Sequence, residues 1–201
     1  MAGDKCTYCG AEVKNYNSIM MQSEDGYTKV CLHCYNKDMA ESVGIDYDHI
    51  ELQPILLKDM DGNEHKFEFT VQLMGDQLVL KTHEDTQDDV CAYEFSMIGD
   101  YEDSLFSLFA SLYERMVNTL NTKHMYKDTE TGRWHVQTGD GGEDVVRGRI
   151  EADMDSDDSI ETPLIVVDGK KIPWEEFGRM LMPFEGFNFK LQIYDPSDEM
   201  D

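Results

Sequence analysis

CTYCG at residues 6–10 and CLHCYNKDMA at residues 31–40 place four of the chain's five cysteines in its first 34 positions. Cys6, Cys9, Cys31 and Cys34 form C-x2-C-x21-C-x2-C. Two residues between cysteines let both sulfurs face one point across a tight turn, and two such turns supply the tetrahedral thiolate set that zinc accepts. Gly10, just after the second cysteine, suits the left-handed position that closes a metal knuckle. An iron–sulfur cluster, another metal or a redox dithiol are the competing uses of the same thiols. Four thiolates leave no open coordination position, so the expected ion is a structural Zn2+ held by Cys6, Cys9, Cys31 and Cys34. His33, inside the second pair, is either a substitute ligand, a neighbour of the site or a plain surface imidazole, and the last two are preferred.

Between the pairs, residues 11–30 read as two short strands with a turn at 23–26. After Cys34 the chain has helical character and meets Gly44, a C-terminal cap. Knuckle, hairpin, and a second pair leading into a helix resemble the treble-clef type of zinc finger over residues 5–44. A unit this small cannot build a sufficient core without its metal, so metal binding would also be folding energy.

From Ile50 onward the pattern changes to period two. Phe67, Phe69, Val71 and Leu73 point one way while Lys66, Glu68, Thr70 and Gln72 point the other. The runs 50–59, 65–74, 77–84 and 90–99 are joined by Asp61-Gly62, Gly75-Asp76 and a polar link, which predicts a four-stranded antiparallel meander. Cys91, in the last run, reads as a buried free thiol. A helix follows to about Lys127, with Asp100 as its cap and Leu105, Phe109, Leu112, Met116 and Leu120 as its apolar stripe.

Beyond it come a strand at 134–138, a Gly-rich loop at 139–144 that lacks the features of a phosphate cradle, and a strand at 145–153. Asp153, Asp155 and Asp157 match the start of a calcium loop. Asp158 stands where glycine is needed and Leu164 where glutamate is, so a solvated acidic loop is preferred. The last segment reads as strand, Asp168-Gly169 turn, helix with Trp174, Phe177 and Leu181 on one stripe, and a strand at 186–195 with Phe187, Phe189, Leu191 and Ile193 inward.

The fold class expected is therefore α+β: a small four-cysteine unit at residues 1–46, then an acidic antiparallel β-sheet domain with two packed helices at residues 47–201. The stretch VDGKKIPWEEFGRMLMPFEGFNFKLQI, together with the two-CxxC N-terminus, resembles an uncharacterised bacterial protein family. That resemblance supports the architecture and implies no activity.

Composition narrows the function classes. The net charge is −25. Residues 1–50 hold eight acids against four lysines, so most of the excess lies in the body. Such a surface repels phosphate backbones, which disfavours nucleic acid as a partner unless Lys5, Lys14, Lys29 and Lys37 share a face. No run of about 18 apolar residues is present, and the first residues lack a signal-peptide pattern, so a cytoplasmic protein with no membrane association is expected. GxSxG, HExxH, Walker and GxGxxG signatures are absent. Two readings of the body remain. It presents a protein-interaction surface, or it holds an enzyme site where His49, His65 and His83 converge at a sheet edge with Glu51, Glu64 or Glu84; isolated strand-end histidines facing solvent are the preferred reading of the three. Arg147 and Arg149 are read as surface ion pairs ahead of an anion site.

Overall fold

The computed structural model describes residues 5–23, 26–86, 93–137, 145–153, 156 and 162–195. It is α+β with antiparallel sheets throughout. The N-terminal unit is a 3-10 turn (Asn15–Asn17), a hairpin of β1 (Ser18–Ser23) and β2 (Gly26–Cys31), and α1 (Leu32–Val43). α1 stops at Gly44, whose N–H returns to the Ala40 carbonyl at 2.9 Å. Its own apolar cluster is small, Cys6, Val30 and Cys31 with half-buried Val13, Met21, Cys34 and Tyr35.

The expected meander forms in sequence order: β3 (Ile55–Lys58), β4 (Glu64–Met74), β5 (Gln77–Glu84) and β6 (Glu94–Asp100). Register puts Val71 opposite Leu80 and Leu80 opposite Met97. Phe67, Phe69, Val71 and Leu73 thus share a face with Leu78, Leu80, Phe95 and Met97, and α2 (Leu105–Leu120) covers that face with Leu112, Met116 and Leu120. β3 is shorter than the predicted run because Pro54, which has no N–H to give a ladder, stands immediately before it.

Two features of α2 differ from expectation. Its N-cap is Ser104, while Asp100 ends β6 and accepts the Glu102 N–H at 2.9 Å. The helix also ends at Leu120, seven residues before Lys127, because β7 (Met125–Lys127) pairs with β8 (Trp134–Val136). The Asp168 carboxylate fixes that break by accepting the N–H of His124 at 2.9 Å and of Met125 at 2.8 Å. Asp168 lies in the predicted hairpin turn between β10 (Pro163–Val167) and β11 (Lys170–Pro173), at φ 48° and followed by Gly169 at φ 68°. Successive left-handed residues are what a two-residue hairpin requires.

β9 (Arg149–Ala152) completes a three-stranded sheet, and α3 (Trp174–Met180) packs on it. Met125, Val136, Ile165, Val167, Ile172 and Met180 form this second core. The α3 stripe is Phe177 and Met180; Trp174 and Leu181 are 52% and 42% exposed, contrary to the predicted stripe. After a 3-10 turn (Met182–Phe184), residues 186–195 belong to no sheet, and Phe187, Phe189, Leu191 and Ile193 point into solvent instead of inward. No helix among the described residues is long and apolar enough to cross a membrane.

Candidate metal centre

The four cysteine sulfurs converge, with their ligand atoms all within 4.8 Å of one another. Cys9 Sγ and Cys31 Sγ are 3.8 Å apart. A tetrahedron with metal–sulfur bonds of about 2.3 Å has edges of about 3.8 Å, so this spacing suits one ion bound by all four. Local backbone explains the convergence. In the first knuckle Gly10 adopts φ 74° and donates to the Cys6 carbonyl at 2.9 Å, which brings Cys9 back beside Cys6. In the second, Cys31 is the N-cap of α1 and its sulfur accepts the Cys34 N–H at 3.4 Å. The knuckles are joined because the Cys31 N–H donates to Cys6 Sγ at 3.3 Å and the Thr7 N–H donates to the Lys29 carbonyl at 2.9 Å.

The electrostatics also fit a cation-bound thiolate set. Burial works against the Cys6 thiolate, yet N–H groups of Cys31, Cys9 and Tyr8 outweigh it and bring the thiol down to about 6. Burial first, then the neighbouring sulfurs, push Cys34 upward, and burial raises Cys31. Four sulfurs this close cannot all ionise unless a positive charge sits among them. His33 is exposed and lies outside this group, its ring stacked on His49 at 5.1 Å.

The unit is joined to the meander by Ala40 of α1, which is buried in the α2-covered core, and by polar contacts at two points. Asn36 is 0% exposed on the α1 stripe with Leu32 and Ala40. Its Nδ2 donates to the Val71 carbonyl at 2.8 Å, and its Oδ1 accepts the Leu73 N–H at 2.9 Å. β3 reaches only as far as Phe67 along β4, so the Asn36 amide takes the place of the missing strand at Val71 and Leu73. Nδ2 also lies 3.0 Å from His49 Nδ1. At the second point Lys14 approaches Glu68 at 3.9 Å, and Tyr16 lies against the His83 ring at 4.2 Å.

The three body histidines do not meet. His49 sits by Asn36 and His33 at the N-terminal unit. His83 faces Tyr16 on the side of the sheet opposite the α2-covered core. His65 lies on the core side between two carboxylates, Glu84 at 2.7 Å and Asp59 at 3.4 Å. Sequence alternation explains their separation, since His65 and His83 occupy opposite sides of the β4–β5 ladder. Glu64 pairs with Lys58 at 3.4 Å.

Asp59 and Asn36 belong to none of the motifs in the sequence yet hold key positions in the structure. Burial opposes the Asp59 carboxylate, but Asn63, His65 and the Asp61 N–H hold it down at about 2. The Asp59-Gly62-Asn63 turn and a polar residue on an otherwise apolar helix stripe were the available signals. Arg149 forms ion pairs with Glu151 and, at 3.3 Å, with Glu94, as expected.

One cleft gathers part of the predicted acid–base set. It has a volume of about 220 Å³ beside β4 and is lined by Tyr16, His49, Glu51, Glu68 and Thr70 among others. Burial, then His33, lowers the His49 pKa below its ordinary value. Cys91, the Gly-rich loop at 139–144 and most of the acidic stretch at 153–161 lie outside the described residues.

Three family models match parts of the chain, each described as a domain of unknown function: DUF7685 over residues 5–46, DUF7686 over residues 48–121 and DUF7713 over residues 134–198. No curated protein and no solved structure matches it. The chain is thus similar along most of its length to families with no assigned activity, and the four-cysteine cluster falls within the first of them.

Proposed function

We propose that Cys6, Cys9, Cys31 and Cys34 hold a structural zinc ion, and that the protein acts as a zinc-dependent protein-interaction or regulatory module in the cytoplasm. The observation that carries this is the closed set of four sulfurs within 4.8 Å, joined to the body through Asn36. When bound, zinc supplies cross-linking, and with four thiolates it has no position left for a substrate. In a reducing compartment the thiols stay available to the metal.

The N-terminal unit at 1–46 is then a clasp that depends on zinc, and the acidic body at 47–201 presents the surface to another protein. The charge of −25 argues against bare nucleic acid, and Lys14 turns toward Glu68 instead of standing free for a phosphate. The test is metal analysis of the purified protein together with partner capture using wild type and Cys31→Ser. One zinc per chain and a stoichiometric partner lost in the variant support the reading; absence of zinc, or of any stoichiometric partner, sinks it.

A second reading is an enzyme, favoured by the cleft that joins His49 and Glu51. Its size suits only a small substrate. Chemical-shift changes at His49 on titration with small metabolites, abolished by Glu51→Gln, would support it. Silence across a broad library would remove it.

A further inference from the structure

Residues 186–195, GFNFKLQIYD, carry the alternation of a half-buried strand, yet they join no ladder among the described residues. Phe187, Phe189, Leu191 and Ile193 are 74%, 91%, 74% and 70% exposed. Exposed apolar residues scattered singly are ordinary, but four at alternate positions form a continuous strip, and such a strip marks an interaction surface.

The strip begins at the rim of a cavity of about 490 Å³. The β7–β8 hairpin supplies Tyr126 and His135, whose rings stack at 5.4 Å. Met180, Pro183 and Phe184 supply the opposite wall. The Phe184 ring meets Phe187 edge-on at 6.0 Å, so donor strip and cavity adjoin.

We propose that residues 186–195 are an exchanged arm: in a two-fold dimer of this chain, each copy lays the Phe187, Phe189, Leu191 and Ile193 side of its arm over the Tyr126, His135 and Phe184 cavity of the other. Three observations select a second copy as the occupant. Because strip and cavity share a rim, one two-fold axis placed there satisfies both at once, as a self-complementary interface requires.

Charge selects the same place. Residues 169–195 carry Lys170, Lys171, Arg179 and Lys190 against Glu175, Glu176, Glu185 and Asp195, an even balance, whereas the whole chain is at −25. Two copies therefore meet with least repulsion on this side. Area is sufficient too. At their observed exposures the four side chains offer roughly 500 Å² of surface per arm, and two arms with the surfaces they cover reach roughly 2,000 Å², the size of a stable interface. This inference is independent of the metal and of the cleft beside His49.

The test uses the full chain. Light scattering coupled to gel filtration, across roughly a hundredfold dilution, reads the mass, and a photo-crosslinking residue in place of Phe189 reads the contact. A doubled mass falling to that of one chain on dilution, with crosslinks joining two chains between position 189 and the peptides bearing Tyr126, His135 or Phe184, is the expected result. Phe189→Asp with Leu191→Asp should give a single-chain mass at every concentration, and the milder Phe189→Ser should weaken dimerisation at least tenfold if the double variant does not fold. A wild type that is monomeric throughout, a double variant that remains dimeric, or crosslinks confined to one chain would each overturn the proposal.

Discussion

Replacing Asn36 with alanine should loosen the N-terminal unit from the meander without touching a cysteine. The side chain is wholly buried and closes three hydrogen-bonding arrangements, with the Val71 carbonyl, the Leu73 N–H and His49. Alanine leaves the Val71 carbonyl and the Leu73 N–H without partners in a buried setting, at about 1–3 kcal/mol each. Some relaxation or water entry will recover part of this, so a net loss of about 3 kcal/mol is expected. With a urea slope of about 2 kcal/mol per M, the midpoint should fall by roughly 1.5 M. Hydrogen exchange adds position to magnitude, because the Leu73 amide should lose protection before the amides of β5 do. Asn36→Asp should not rescue the protein at neutral pH, since a carboxylate can accept from Leu73 but cannot donate to Val71. A midpoint change below about 0.3 M, or unchanged protection at Leu73, would refute the idea that one amide substitutes for the missing length of β3.

Three further outcomes follow from the same geometry. Chelation should unfold residues 5–46 while the Phe67, Leu80 and Met116 core retains its near-ultraviolet dichroism, because the N-terminal cluster rests on Cys6, Val30 and Cys31. Asp59, held at about 2 when folded against 3.8 otherwise, contributes stability that is full above pH of about 4 and lost as pH falls toward about 2. Solvent screening at this turn leaves a contribution on the order of 1 kcal/mol, and Asp59→Asn should flatten this part of the acid-unfolding curve relative to wild type. Gly148→Ala would set a methyl carbon 2.6 Å from the Val166 carbonyl oxygen and 2.9 Å from a Val167 methyl. With β10 unable to retreat, thermal unfolding should show a loss on the order of 1–3 kcal/mol.

Legibility in the sequence followed the range of the interactions concerned. The sulfur cluster was readable because each knuckle is closed within five residues, by Gly10 and by the N-cap of α1. The meander was readable because alternation and short turns are local, as Phe67 opposite Glu84 and Leu80 opposite Met97 illustrate. The end of α2 was not, since the group that claims the N–H of His124 and Met125 is Asp168, more than forty residues away. Whether the histidines converge was open in the sequence for a different reason. Sharing strand ends does not mean sharing a side, and a ladder separates His65 from His83. For residues 186–195 the alternation predicts a strand with Phe187, Phe189, Leu191 and Ile193 inward, but the segment joins no ladder among the described residues and these side chains are exposed.

Zinc content measured beside the folded state of residues 5–46 tests the central claim most directly. The account predicts one zinc per wild-type chain, no zinc retained by Cys6→Ser or Cys31→Ser, and loss of protection at Leu73 in the metal-free protein. A fully folded N-terminal unit without metal, or a wild-type chain that binds none, would contradict it.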